Sequence, residues 1–180
     1  MKIVLLITSF FILISCSKKD DFVQLSTQEI EQPKQLSLFV FMSPECPLCE
    51  NYTKDFTALE TTFSKNELRM YGVFSGEKLY TKEQIFKFKS KYHLNMDFVF
   101  DRDYKIAKHF NAQVTPECFL VNTKGELVYS GKFDNWLEKL GRKRQKVTKH
   151  YVLDAISSEI NNTPLITKKT EAVGCLLQYH

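Results

Sequence analysis

Glycine and proline are scarce in this chain, 6 and 5 among 180 residues. That excludes a collagen-like or low-complexity disordered protein, and no internal repeat divides the sequence. Net charge is small as well: 25 basic residues against 21 acidic leave +4, too little to argue by itself for a nucleic-acid partner. Five cysteines are too sparse for a disulfide-stapled miniprotein. The four histidines, at 93, 109, 150 and 180, are scattered, so no second pair of zinc ligands accompanies any pair of cysteines. What is present is enough apolar material, 43% of residues, to bury one core, in a chain too short for two ordinary domains.

The N-terminus reads as an address. Lys2 precedes Ile3 to Ile14, a nearly pure apolar run of 12 residues, where a stable bilayer span needs roughly 20. The run matches a secretory signal and ends in Leu13-Ile14-Ser15-Cys16, which resembles the bacterial lipobox. That resemblance implies removal of residues 1–15, acylation of Cys16 and lipid anchoring to a bacterial membrane, on the periplasmic or surface side of the outer membrane. The other reading is an ordinary signal peptide with an incidental cysteine, or a short anchor. Ser17-Lys18-Lys19-Asp20-Asp21 has no apolar residue and is similar to the charged export signal of some surface lipoproteins. The expected organisation is a signal at 1–15, a tether and linker at 16–35, and one domain at 36–180. Outside the cytoplasm, disulfides persist.

Strand and helix signals alternate along the mature chain. Leu36 to Phe41 is short and mostly apolar, as in a central strand covered on both faces. Leu48, Tyr52, Phe56, Leu59 and Phe63 recur at three- and four-residue spacing, which predicts one long amphipathic helix with Pro47 in its first turn. Arg69 to Ser75 and Asp97 to Asp101 read as further strands. Between them Thr81 and Gln84 have capping-box spacing ahead of Ile85, Phe88 and Tyr92. A short helix over Asp103 to Phe110 leads into Val114-Thr115-Pro116. Thr123-Lys124-Gly125 reads as a hairpin turn between Glu117 to Asn122 and Glu126 to Ser130, and Val152, Ile156 and Ile160 mark a last helix. This order predicts an α/β fold: a mixed central sheet with helices on both faces.

The chemistry is concentrated in Cys46-Pro47-Leu48-Cys49. Helical spacing at a strand-to-helix junction puts the two sulfurs on one side. The helix N-terminus favours a Cys46 thiolate, and Cys49, one turn in, is placed to resolve. A C-x-x-C beside a βαβ pattern points to redox chemistry; half of a zinc site is the alternative.

Phe39 to Cys49 resembles the active-site segment of the thioredoxin-like superfamily, and Val114-Thr115-Pro116 its cis-proline loop. Ser43-Pro44-Glu45-Cys46-Pro47-Leu48-Cys49, the Thr-Pro-Glu loop, the hairpin Phe119 to Gly131 and the closing Val173-Gly174-Cys175 resemble its redoxin branch. That branch is related to alkyl hydroperoxide reductase and thiol-specific antioxidant proteins. The resemblance covers about residues 36–177. It implies a thioredoxin-like fold and a thiol–disulfide oxidoreductase that needs no cofactor. Cys46 would attack, Cys49 resolve, and Thr115 with a cis Pro116 would receive the partner. The expected partners are protein thiols and disulfides together with a redox partner, with no nucleic acid, and the chain is expected to be a monomer. A trans Pro116 opening an edge strand is the alternative for that loop.

Departures from the family pattern define the alternatives. Glu45 stands where thioredoxins carry Trp, and its carboxylate opposes a Cys46 thiolate. Ser43 stands in the place of a peroxiredoxin Thr, but Phe39 replaces the upstream Pro, so a peroxiredoxin-like peroxidase is the second reading. Such an enzyme would need Arg102, Arg142 or Arg144 brought back to Cys46 by the fold. Copper binding is a third: thiolates suit Cu(I), but the cysteine spacing is two rather than three and no His lies in the Thr115-Pro116 loop. Cys118 and Cys175 admit three readings: a second disulfide pinning the tail, a relay for the first pair, or independent buried thiols. The basic run Lys139, Arg142, Lys143, Arg144, Lys146 and Lys149 reads as a solvated face or a contact for an acidic partner. Trp136 and Tyr129 read as packing residues.

Overall fold

A computed structural model describes residues 22–76 and 78–179. The signal, Cys16 and the charged segment after it lie outside the described residues. Chain order runs α1 (Thr27–Glu31), β1 (Leu36–Phe41), α2 (Pro47–Asn51), α3 (Thr53–Thr62), β2 (Leu68–Ser75), α4 (Lys82–Lys91), β3 (Asp97–Asp101) and α5 (Lys105–Phe110). It continues with β4 (Val114–Thr115), β5 (Glu117–Val121), β6 (Leu127–Gly131), β7 (Leu137–Lys139), β8 (Arg142–Lys143), α6 (Tyr151–Ile160) and β9 (Cys175–Leu176). Five strands form the main sheet in the order β3-β2-β1-β5-β6. β1 pairs in parallel with β2 and β2 with β3, while β5 runs antiparallel to both β1 and β6. The sheet is mixed, as the sequence order predicts.

The alternation of β1 builds two cores. Leu36, Leu38 and Val40 face one layer, with Tyr52 and Phe56 from the helices after β1, Ile85 and Phe88 from α4, and Val152 and Ile156 from α6. Phe39 and Phe41 face the other, with Ile106 and Ala107 of α5, Ile30 of α1, and Phe119 and Val121 of β5. Every residue of β1 is buried, which is why its sequence is apolar at every position but Ser37 rather than strictly alternating. The capping box at α4 forms as its spacing predicts, with Thr81 Oγ1 accepting from the Gln84 N–H and Gln84 Oε1 from the Thr81 N–H.

Several expectations are corrected. The helix over Leu48 to Phe63 is two helices, broken at Tyr52, where ψ rises to −2°. The Thr53 hydroxyl donates to the Glu50 carbonyl at 2.9 Å, the kind of side-chain back-bond that competes with helix continuity. Part of the expected linker belongs to the domain: Phe22 is buried, Val23 N–H donates to Phe98 O at 2.8 Å, and α1 starts in a Ser26–Glu29 capping box. The basic run is solvent-facing, one of its two expected readings: Lys139, Arg142 and Lys143 lie on the ribbon of β7 and β8, and Arg142 and Arg144 both pair with Glu138 at 2.6 and 2.5 Å.

Candidate active site

The site forms where β1 ends. Met42 continues the pairing with β2 through its N–H to Val73 O at 2.9 Å. The chain then turns through Ser43-Pro44-Glu45, with Glu45 N–H donating to Ser43 Oγ and Cys46 N–H to Ser43 O, each at 3.2 Å. Cys46 is thereby the residue that caps α2, with Pro47 in the first turn, a position that costs no helical hydrogen bond. Facing it is the loop that joins β4 to β5, whose Thr115-Pro116 peptide is cis, in agreement with the resemblance. Glu117, the next residue, accepts the Gln113 and Val114 N–H groups at 2.7 and 3.3 Å and so holds this loop in shape.

The structure brings Cys46, Cys49, Thr115, Pro116, Cys118 and Cys175 together here. Cys46 Sγ lies 3.1 Å from Thr115 O and is buried. Cys49 is fully buried, accepts the Ser43 N–H at 3.5 Å, and is also approached by the Thr115 hydroxyl. Burial dominates over those two donors and pushes its thiol up to about 12. Cys118, on β5 directly after the loop, is equally buried; burial pushes its thiol well up, with Glu117 and Cys49 adding to the rise. Both Cys49 and Cys118 are free thiols.

The pairing of Cys175 is the main departure from expectation. Cys175 is bonded to Cys46, with their Cα atoms 6.2 Å apart at a sequence separation of 129. A Cys118–Cys175 bridge is therefore absent from this structure. Cys118 points into the core with Leu120 and Tyr129, whereas β9 carries Cys175 against β4, Thr115 opposite Cys175 and Val114 opposite Leu176. The four cysteines of the described residues admit three complete pairings; spacing along the chain cannot choose among them. The Val-Gly-Cys at the end of the chain was the available signal, and Gly174 is a site residue that composition could not show.

A cavity of about 220 Å³ adjoins the disulfide, lined by Ser43, Glu45, Leu79, Tyr80, Thr115 and the β9 segment. Among the described residues, no arginine lines it. Behind the cysteines, Tyr52 donates to the buried Asp134 at 2.8 Å; burial, followed by the Asp134 charge, raises the phenol. Among the described residues, no group of three or more His, Cys, Asp or Glu side chains is placed to hold a metal.

Comparison with known proteins places this geometry. The sequence profile described as the AhpC/TSA family matches residues 14–130, a span that includes Cys46, Cys49 and Pro116 but stops short of Cys175. No curated protein sequence matches the chain. Among solved structures, a hypothetical protein from Sinorhizobium meliloti aligns with a TM-score of 0.71 at 20% identity, over 84% of this chain and 83% of that one. An uncharacterized conserved protein from Geobacillus kaustophilus aligns at 0.69 and 15%, over 86% and 82%. A thioredoxin-like protein solved in its oxidised form aligns at 0.58 and 15%, over 78% and 88%. The fold is thioredoxin-like.

Proposed function

The chain belongs to the AhpC/TSA family, and from that premise we propose that it is an extracytoplasmic, lipid-tethered thiol–disulfide oxidoreductase acting on protein partners. The observation that carries the reading is the pair of sulfurs at the end of β1. Cys46 is already engaged in a disulfide beside Thr115, and the free thiol of Cys49 lies one helical turn on with two donors aimed at it.

In the reducing direction, the Cys46 thiolate attacks a partner disulfide and forms a mixed disulfide, and one partner sulfur leaves as a thiolate. Cys49 then gives up its proton and attacks Cys46 Sγ. The Cys46–Cys49 bond forms, the second partner thiolate leaves, and two electrons have passed to the partner. The donors at Cys49, the Ser43 N–H and the Thr115 hydroxyl, stabilise the charge that develops there in the resolving step. The absence of an arginine from the cavity at Cys46 favours thiol exchange over peroxide reduction, which needs donors to polarise the O–O bond.

The lipobox-like Leu13-Ile14-Ser15-Cys16 supports work at a membrane surface. Phe22, the first described residue, is buried against the domain and stands six positions after Cys16, a stretch that can span at most about 20 Å. No helix among the described residues is long and apolar enough to cross a membrane.

The test is trapping. Because Cys175 can also release a partner from Cys46, the trap is the double variant: Cys49→Ser with Cys175→Ser should accumulate mixed disulfides through Cys46, and Cys46→Ser should abolish exchange. A double variant that traps nothing, or a reduced protein that consumes hydrogen peroxide several orders of magnitude faster than a free thiol, would overturn the assignment.

A further inference from the structure

The C-terminal segment crosses the site as a strand held at both ends. On one side, Ser130 N–H donates to Lys168 O at 3.1 Å and Thr170 N–H to Ser130 O at 2.9 Å. Thr170 Oγ1 also takes the Lys132 N–H at 2.8 Å. On the other side, Leu177 N–H donates to Gln113 O at 2.8 Å, and the Tyr179 hydroxyl donates to Ala112 O. Between these anchors β9 adds antiparallel to β4 and sets Cys175 opposite Thr115, which delivers its sulfur to Cys46.

Two details separate this arrangement from a structural strap. Leu176, the largest apolar side chain of β9, is 80% exposed, so the strand is not held by burying it. Gly174 is buried, and a Cβ built there would run into the Thr115 backbone, so recognition at that position is backbone against backbone. Strand addition at an edge, with specificity at particular side-chain positions, is how extended peptides are bound.

We propose that Val173–Leu177 is a tethered image of the substrate: protein partners dock as an extended strand on the Val114–Thr115 edge, present a cysteine preceded by glycine, and displace β9 to do so. This rests on the thiol–disulfide reading above. The step that clears the edge is an isomerisation within the chain. Cys49 loses its proton and attacks Cys46 Sγ; the Cys46–Cys49 bond forms as the Cys46–Cys175 bond breaks. Cys175 leaves as a thiolate and takes up a proton, with no net oxidation or reduction. A partner thiolate seated on the vacated edge then attacks Cys46 and displaces Cys49, reproducing with another chain the bond now made by Cys175.

The test uses the full chain carrying Cys49→Ser and Cys175→Ser, with Cys46 as the reacting thiol. Two synthetic peptides of Glu171–Tyr179, one native and one with Gly174→Ala, are each activated as the mixed disulfide with thionitrobenzoate, and release of that leaving group is followed. The glycine peptide should react about tenfold faster or more, because the added methyl group has no room against the Thr115 backbone. In the otherwise native oxidised protein, Gly174→Ala should move the mapped disulfide from Cys46–Cys175 to Cys46–Cys49. Equal rates for the two peptides would overturn the proposal and leave thiol exchange standing. Failure of both peptides to react, with Cys46 still alkylated by iodoacetamide, would overturn the exchange reading along with it.

Discussion

Replacing Cys175 by serine should cost the oxidised protein much of its stability. The bond closes a loop with a sequence separation of 129 residues, and for that length the chain-entropy relation gives about 5 kcal/mol at 25 °C. The folded state offers little to offset or enlarge this figure, since Cys175 is only partly buried and Leu176 faces solvent. A Cys46–Cys49 bond formed in the variant would not compensate, because so short a loop barely restricts the unfolded chain. For a domain of this size the loss corresponds to a fall of roughly 10–20 °C in Tm. Urea unfolding followed by far-UV circular dichroism would compare the oxidised protein, the same protein in reductant, Cys175→Ser and Cys46→Ser. The last three should share one lower midpoint. The oxidised protein should also show a smaller m value, because its cross-linked unfolded state exposes less surface. Coincident midpoints for the oxidised protein and Cys175→Ser would mean that the loop is not closed in solution, and the account of β9 would fall with it. A loss in Cys175→Ser that reductant does not reproduce would assign the effect to the serine side chain rather than to the bond.

Two further expectations bear on titration and location. Burial pushes the Cys49 thiol up to about 12 from its ordinary 9.0, so the unfolded chain releases that proton first. The stability of the reduced protein should hold below the lower value and fall between the two, by up to about 1.4 kcal/mol per pH unit. Urea midpoints at about pH 8 and about pH 10 should therefore drop further for the native sequence than for Cys49→Ala, and parallel drops would refute the assignment. Cys16→Ser should move the protein from the membrane fraction to the soluble fraction on cell lysis; unchanged membrane association would remove the lipid anchor from the account.

Much of the fold was legible in the chain because its signals are local. The mostly apolar run of Leu36 to Phe41, the Thr81–Gln84 cap and the Gly125 turn each act within a few residues, and each formed where its pattern indicated. The Ser26–Glu29 capping box was equally local, yet it lay in a stretch whose polarity suggested a linker. The break at Tyr52 was not legible, because hydrophobic spacing is the same whether or not a threonine hydroxyl takes the Glu50 carbonyl.

The candidate site divides along the same line. Sequence by itself determined the two sulfurs of Cys46 and Cys49, the helix start that carries them and the Thr115-Pro116 loop, since motif spacing and elementary helix geometry are enough for that. Which sulfur Cys46 holds was decided only by tertiary structure. Cys175 reaches it across 129 residues because β9 adds to β4, Leu177 bonds to Gln113, and Gly174 leaves room against Thr115. Cys118 follows Pro116 almost directly, with only Glu117 between them, and still cannot compete. Its side chain is fully buried in the same core layer as Cys49 and stays a free thiol, whereas strand pairing at Thr115 is what carries the Cys175 sulfur to Cys46.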